Sequence, residues 1–166
     1  TATAIMETVC QNSPYPVSLK IRTQVKQINA LTFIKKINHL PWSTIMIHGR
    51  SLQQGFSGPI DYQLIKQIKQ LLPEKIILAN GGIDSPEQAE LTLKQTQADG
   101  LGIARGCLDN PWLFQHIKNQ TTLPVVNWSE RKKLILQHAR LFLQGNQNLI
   151  PLRKHLVRYV KGLPQA

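Results

Sequence analysis

Two turns in this chain combine residue types and spacing suited to holding a phosphate. In Lys75-Ile-Ile-Leu-Ala-Asn-Gly-Gly-Ile-Asp-Ser-Pro-Glu-Gln88 an apolar run stops at Asn80-Gly81-Gly82, and in Ala98-Asp-Gly-Leu-Gly-Ile-Ala-Arg-Gly106 a second run stops at Ala104-Arg105. Each turn stands just before a helix can begin. In a parallel α/β protein such turns lie at the carboxyl ends of strands, where bare backbone N–H groups and helix N-termini collect phosphate. Two in succession point to one phosphate held between them. Two earlier strand-like runs also end in cations or imidazole: Val17-Ser-Leu-Lys-Ile-Arg22 presents Lys20 and Arg22, and Thr44-Ile-Met-Ile-His48 runs into Gly49-Arg50.

Four apolar runs must position these residues. The first alternates and carries β-branched residues, as a strand does; the second is continuously apolar, as suits a strand buried on both faces. The others are Ile76–Ala79 and Leu101–Ala104. Helix-period segments lie between them. Ala30, Ile34 and Ile37 mark one, and Ile60, Leu64, Ile68 and Leu71 another, stopped by Pro73. A third starts at Ser85 as N-cap, with Pro86 at the first helical position and Gln88 completing a capping box. Asn110-Pro111-Trp112 repeats the cap-then-proline signal. Four β-to-α repeats of this length predict parallel strands with right-handed crossovers.

After Pro124 the pattern becomes wholly helical. Ser129-Glu130 opens a helix whose face carries Leu134, Ile135, His138, Leu141 and Phe142, and Gly145 ends it. A last helix from about Leu152 turns Leu156, Tyr159, Val160 and Leu163 inward. Lys154, Arg158 and Lys161 form a charged stripe on another face. The fold class expected is α/β: half of a TIM (β/α)8 barrel over residues 1–120, followed by a small all-helical domain over 121–166. A full barrel needs roughly 250 residues. Ala4–Cys10 reads as the tail of a helix packing behind a strand, and the opening of the chain suggests a fragment or truncated copy. A half-barrel exposes two strand edges, so it is expected to self-associate or to recruit a missing amino-terminal half.

With 166 residues, 42% of them hydrophobic, the chain can bury a core. Two cysteines, Cys10 and Cys107, with no C-x-x-C pair and no metal-ligand spacing, argue against a disulfide framework and against a metal site. No apolar run approaches the ~18 residues of a membrane span, and the start does not resemble a signal peptide; the expected location is cytoplasmic. The net charge of +11 is uneven. Residues 131–166 hold eight Lys/Arg and no acid, whereas residues 1–130 hold twelve Lys/Arg and nine acids. A phosphate-rich partner is one physical reason for such asymmetry, a solvated helix face the other.

Six stretches in order carry a specific resemblance: Pro16–Arg22, Ile47-His-Gly-Arg50, Ala79-Asn-Gly-Gly-Ile83, Ala98–Gly106, Asn110-Pro-Trp-Leu-Phe114, and Arg153-Lys-His followed by Tyr159-Val-Lys-Gly-Leu-Pro164. Together they resemble the carboxyl-terminal half of a tRNA-dihydrouridine synthase, nearest the bacterial B-type branch. The resemblance implies a TIM barrel in which FMN, reduced by NADPH, delivers hydride to C6 of a uracil base in tRNA, while a cysteine acid protonates C5. It further implies a carboxyl-terminal helical domain that grips the tRNA.

Carried over by resemblance, Lys20 lies near the N1–C2 edge of the flavin, where a fixed cation stabilises the negative charge of the reduced ring. His48 is the flavin-contacting histidine. Asn80, Gly81 and Gly82 form the first phosphate turn, and Ala104 and Arg105 the second; glycine lets the backbone approach closely and Arg105 supplies charge. Arg22 and Arg50 reach the nucleotide at the barrel mouth. Arg153, Lys154, His155, Arg158 and Lys161 contact the tRNA backbone.

The chain departs from the family pattern at two positions, with Gly82 where an acid is usual and Ala104 where a glycine is usual. The family's catalytic cysteine would precede Thr1, and neither Cys10 nor Cys107 takes its place. This chain alone is therefore expected not to complete uridine reduction. Two other readings stay open: a catalytically dead tRNA-binding remnant, which need not keep FMN, and another FMN- or phosphate-binding barrel with a small-molecule substrate, which would not bind tRNA.

Overall fold

The computed structural model describes residues 1–108, 110–123, 127–145 and 148–160. The chain divides into two compact units, Thr1–Ala104 and Arg105–Ala166.

In the first unit helix α1 (Ala2–Asn12) precedes strand β1 (Val17–Arg22). A short antiparallel hairpin, β2 (Gln24–Val25) and β3 (Ile28–Asn29), leads into α2 (Ala30–Ile37). Then β4 (Trp42–His48), α3 (Tyr62–Leu71), β5 (Ile76–Asn80), α4 (Pro86–Thr96) and β6 (Gly100–Gly102) alternate. The four long-range strands form one parallel sheet in the order β1-β4-β5-β6. Consecutive parallel neighbours joined by helices are half of a (β/α)8 barrel.

The sheet has two unlike faces because side chains alternate along a strand. Ile45, Ile47, Ile77 and Ala79 on one face pack with Ile34, Ile37, Ile65 and Ile68 of the helices, and all eight are fully buried. Each large side chain so buried stabilises the fold by roughly 1.5–3 kcal/mol. Trp42 extends this core, its indole N–H donating to the Ile37 carbonyl at 2.8 Å. That pairing opens β4 two residues before the expected Thr44, since Trp42 has Val17 as its register partner. At the other edge β6 stops at Gly102 rather than Ala104, because β5 offers no paired residue beyond Asn80.

Helix ends follow their capping chemistry. Asn29, Asp61 and Ser85 each accept a hydrogen bond from the backbone N–H three residues on, at 2.8, 2.9 and 3.2 Å. The apolar stripe expected on α3 is shifted at its ends. Ile60 lies ahead of the N-cap Asp61, Leu71 is exposed, and the buried positions are Ile65, Ile68 and Leu72. Ile68 is buried and Leu64 packs against the core as expected, so the stripe differs only at its two ends.

The second unit contains a 3₁₀ turn (Arg105–Cys107), α5 (Leu113–Asn119), α6 (Trp128–Gly145), a 3₁₀ turn (Ile150–Leu152) and α7 (Arg153–Val160). Asn110 does not cap α5 as expected: Trp112 occupies the cap position without a side-chain bond, and the Asn110 side-chain oxygen is buried with no partner among the described residues. Asn127 caps α6 by accepting from Glu130 N–H at 2.9 Å. Leu141 is exposed rather than inward. The inward positions expected at Leu163 and the charged Lys161 lie outside the described residues.

Candidate active site

Strand register assembles the site. Arg22, His48, Asn80 and Gly102 are successive register partners across the four strands, a single row at the carboxyl edge of the sheet. Two residues earlier, Lys20, Met46, Leu78 and Gly100 form the next row. Alternation puts both rows on the face opposite the isoleucine core, which is the inner face of a barrel. Lys20, remote from His48 in sequence, thus shares its face, one row back and exposed.

Backbone bonds lock the row. Thr23 N–H donates to the His48 carbonyl at 3.2 Å, and Gly49 N–H donates to the Asn80 carbonyl at 2.9 Å. The buried Asn80 amide donates to the Gly102 carbonyl. Beyond Asn80 the chain turns sharply, with φ at +113° for Gly81 and +71° for Gly82. A Cβ on Gly81 would lie 3.1 Å from Ile60 Cδ1 and 3.3 Å from His48 Nε2. Only glycine leaves this cradle open. Arg50 N–H approaches His48 Nδ1 at 3.3 Å; with Nδ1 accepting, the neutral ring carries its hydrogen on Nε2, the nitrogen turned toward Gly81.

Arg50 closes the other side. Its Nε donates to the Gly58 carbonyl at 2.7 Å, and its Nη2 would be 3.8 Å from a Cβ on Gly82. Its Nη1 is buried and has no hydrogen-bond partner among the described residues. Leaving such a donor unmatched costs about 1–3 kcal/mol, so the turn is built for an oxygen that would accept from it. The donor set and the open glycine cradle fit an anionic phosphate oxygen.

Within the chain Arg22 meets the segment that follows β4. Its Nη1 donates to the Ser51 carbonyl at 3.1 Å and to the Gly55 carbonyl, and its guanidinium lies 5.6 Å from the centre of the exposed Phe56 ring. Gln54 adds to this loop, accepting from Ser51 N–H at 2.7 Å. Residues 51–59 of the segment between β4 and α3 escaped the sequence reading. Their signal was Gly55 and Gly58, both at positive φ.

Ala104 ends the first unit and Arg105 begins the second, exposed in its 3₁₀ turn. In the second unit Arg153, Lys154 and Arg158 are exposed on α7. His155 is half-buried, its ring centre 5.3 Å from that of His138. Burial, followed by the positive charge available at His138, Lys154 and Arg158, holds the His155 pKa below its ordinary value. His138 Nδ1 meets the Tyr159 hydroxyl at 3.0 Å, and Arg131 donates to the Tyr159 carbonyl at 2.8 Å. These bonds tie α6 to α7. Cys10 packs on the helix side of the first unit's core, and Cys107 sits in the 3₁₀ turn; neither forms a disulfide among the described residues. Among the described residues no helix is long and apolar enough to cross a membrane, and no group of three or more His, Cys, Asp or Glu side chains could hold a metal.

Parallel βα units with cations and a glycine turn at their carboxyl edge are half of a (β/α)8 barrel. Comparison with known proteins takes this further. The family model described as dihydrouridine synthase matches residues 1–166, and the chain belongs to that family. It is 35% identical over 98% of its length to a probable tRNA-dihydrouridine synthase of Helicobacter pylori, and 34% identical over 98% to tRNA-dihydrouridine synthase B of Pseudomonas syringae pv. tomato. It covers 50% of each, so the chain spans about half the length of these curated relatives. A solved structure of the Salmonella typhimurium RcsB response regulator, titled for its conformational dynamism in DNA interaction, aligns with a TM-score of 0.38 and 16% identity over 88% of this chain and 85% of that one. That likeness carries no argument.

Proposed function

We propose that this chain supplies the carboxyl-terminal part of an FMN- and NADPH-dependent tRNA-dihydrouridine synthase acting in the cytoplasm, with one half of the flavin site in its barrel unit and a tRNA grip in its helical unit. The observation that carries the reading is the open Gly81–Gly82 cradle flanked by the His48 imidazole and by the buried, unmatched Arg50 Nη1.

In this reading the turn at Asn80, Gly81 and Gly82 takes the FMN phosphate, joined by Ala104 of the same unit, while Arg50 Nη1 finds its acceptor there. Lys20 presents a cation to the ring from the next row, and His48 contacts the flavin. When bound, FMN supplies hydride chemistry drawn from NADPH and directed at C6 of a uridine. The chain's own residues orient and neutralise. In this reading Cys10 is not the proton donor, because it lies on the helix side of the sheet. Exposed Arg153, Lys154 and Arg158, with His155 and Lys161, take the tRNA backbone.

The test is an FMN titration of the purified chain followed by flavin fluorescence, paired with a dihydrouridine assay on tRNA. Saturable binding that is lost in Lys20→Ala and Gly81→Ala, with no dihydrouridine formed by the chain alone, supports the reading. Absence of flavin binding would leave a tRNA-binding remnant. Dihydrouridine formed by the isolated chain would overturn the division of labour.

A further inference from the structure

A second concavity lies beside the cradle. It has a volume of about 460 Å³ and opens between the β2–β3 hairpin and the segment joining β4 to α3, within the ~300–1,000 Å³ range of small-molecule sites. Gln24 and Asn29 line one side, Gln54 and Asp61 the other, and Ile60 and Leu64 supply apolar surface.

The lining defines what it can hold. No lysine or arginine borders the cavity among the described residues. The two helices that start here, α2 and α3, have their N-termini already capped by Asn29 and Asp61, whose side-chain oxygens take the Thr32 and Leu64 N–H groups. An anion would therefore meet filled caps and a carboxylate. A neutral flat group with hydrogen-bonding edges fits instead, laid against Ile60 and Leu64. Acceptors dominate those edges: Asp61 has a second carboxylate oxygen, and Gln24 donates its amide hydrogen to the Lys26 carbonyl at 2.7 Å, leaving its oxygen for a donor. A base bearing an exocyclic amino group satisfies both.

Position says whose base it is. Ile60 lines this cavity, and its Cδ1 atom is also the nearest atom to a Cβ on Gly81. Ile60 thus borders both the cavity and the proposed flavin cradle. We infer that the cavity holds an amino-bearing nucleobase of the bound RNA, a neighbour of the nucleotide presented to the flavin, gripped through Asp61 and Gln24. This rests on the tRNA reading above.

Adenosine and uridine are titrated separately into the full chain while the side-chain amide signals of Gln24 and Gln54 are followed by NMR. In parallel, tRNA affinity is measured for wild type, Gln24→Trp, which fills the cavity from the exposed hairpin, and Asp61→Asn, which keeps the helix cap but removes the charge. Adenosine, and not uridine, is expected to shift both amides, and each variant to weaken tRNA binding by roughly tenfold, the scale of one specific base contact, with FMN affinity unchanged. Should Gln24→Trp not fold, Asp61→Asn and the nucleoside titration still decide. Equal response to both nucleosides overturns the assignment of an amino-bearing base. Adenosine binding with unaltered tRNA affinity in the variants would make the cavity a free-nucleoside site and overturn the RNA assignment. Failure of wild type to bind tRNA at all strikes the functional reading itself and takes this inference with it.

Discussion

The Asn80 side-chain amide donates to the Gly102 carbonyl, joining the last residues of β5 and β6. Its own backbone carbonyl accepts from Gly49 at 2.9 Å, so one buried residue ties three strand ends together. Asn80→Ala leaves the Gly102 carbonyl unmatched and should lower stability by about 1–3 kcal/mol, read as the shift in a urea unfolding curve. Asn80→Asp keeps the shape but replaces the donor with a charge facing a carbonyl, and should cost more at neutral pH.

Gly81 is held at φ +113° with His48 Nε2 and Ile60 Cδ1 within 3.3 Å of any added Cβ. Gly81→Ala therefore combines backbone strain of about 1–3 kcal/mol with displacement of the imidazole. We expect flavin affinity to fall more than tenfold in a fluorescence titration. A smaller loss is expected for Gly82→Ala, where the added Cβ meets Ile60 Cγ1 at 3.4 Å.

Arg22 holds the segment from Ser51 to Phe56 through two carbonyls and one ring. Arg22→Ala should raise the rate of limited proteolysis within this segment while changing global stability by less than about 1 kcal/mol. Arg22→Lys should rescue little, because an ammonium cannot reproduce the guanidinium fork. Cleavage as slow as wild type in both variants would contradict the bracing role.

The His138–His155 contact makes the joint between α6 and α7 sensitive to acid. Burial, with the neighbouring positive groups, lowers the His155 pKa from 6.5. Between that lowered value and 6.5 the folded state binds fewer protons than the unfolded state, so stability falls as pH drops through the window and levels off below it. Thermal melts of the helical signal at pH 7.5 and 5.5 should show the loss, and His155→Gln should flatten it.

Exposed Arg153, Lys154 and Arg158 are expected to release counterions when tRNA binds. Changing all three to Gln should weaken tRNA binding and reduce the slope of log affinity against log salt by about two to three. An unchanged slope would remove the α7 face from the RNA interface.

Much of this was legible along the chain because it depends on near neighbours. The strand Val17–Arg22, the cap at Ser85, the stop at Gly145 and the glycine turn after Asn80 are local events of a few residues, governed by alternation, capping and permitted φ. Where local signals failed, a distant partner decided. Trp42 became strand because Val17 lies beside it, and β6 ended early because β5 had no residue left to pair. Asn110 has the residue type of a helix cap, yet its side-chain oxygen is buried without the expected bond.

Residue types alone determined that this protein would carry glycine-bearing turns, cations at strand ends and a basic helical tail, since these are properties of composition and short-range spacing. Only the tertiary structure decided which of them meet. Parallel register, set by burying seven isoleucines between sheet and helices, aligned Arg22, His48 and Asn80 in one row. The same packing carried Ile60 against Gly81, bonded Arg22 to a loop and left Arg50 Nη1 buried beside the cradle without an acceptor among the described residues. Such meetings are fixed by contacts between residues far apart in the chain, where spacing holds no information.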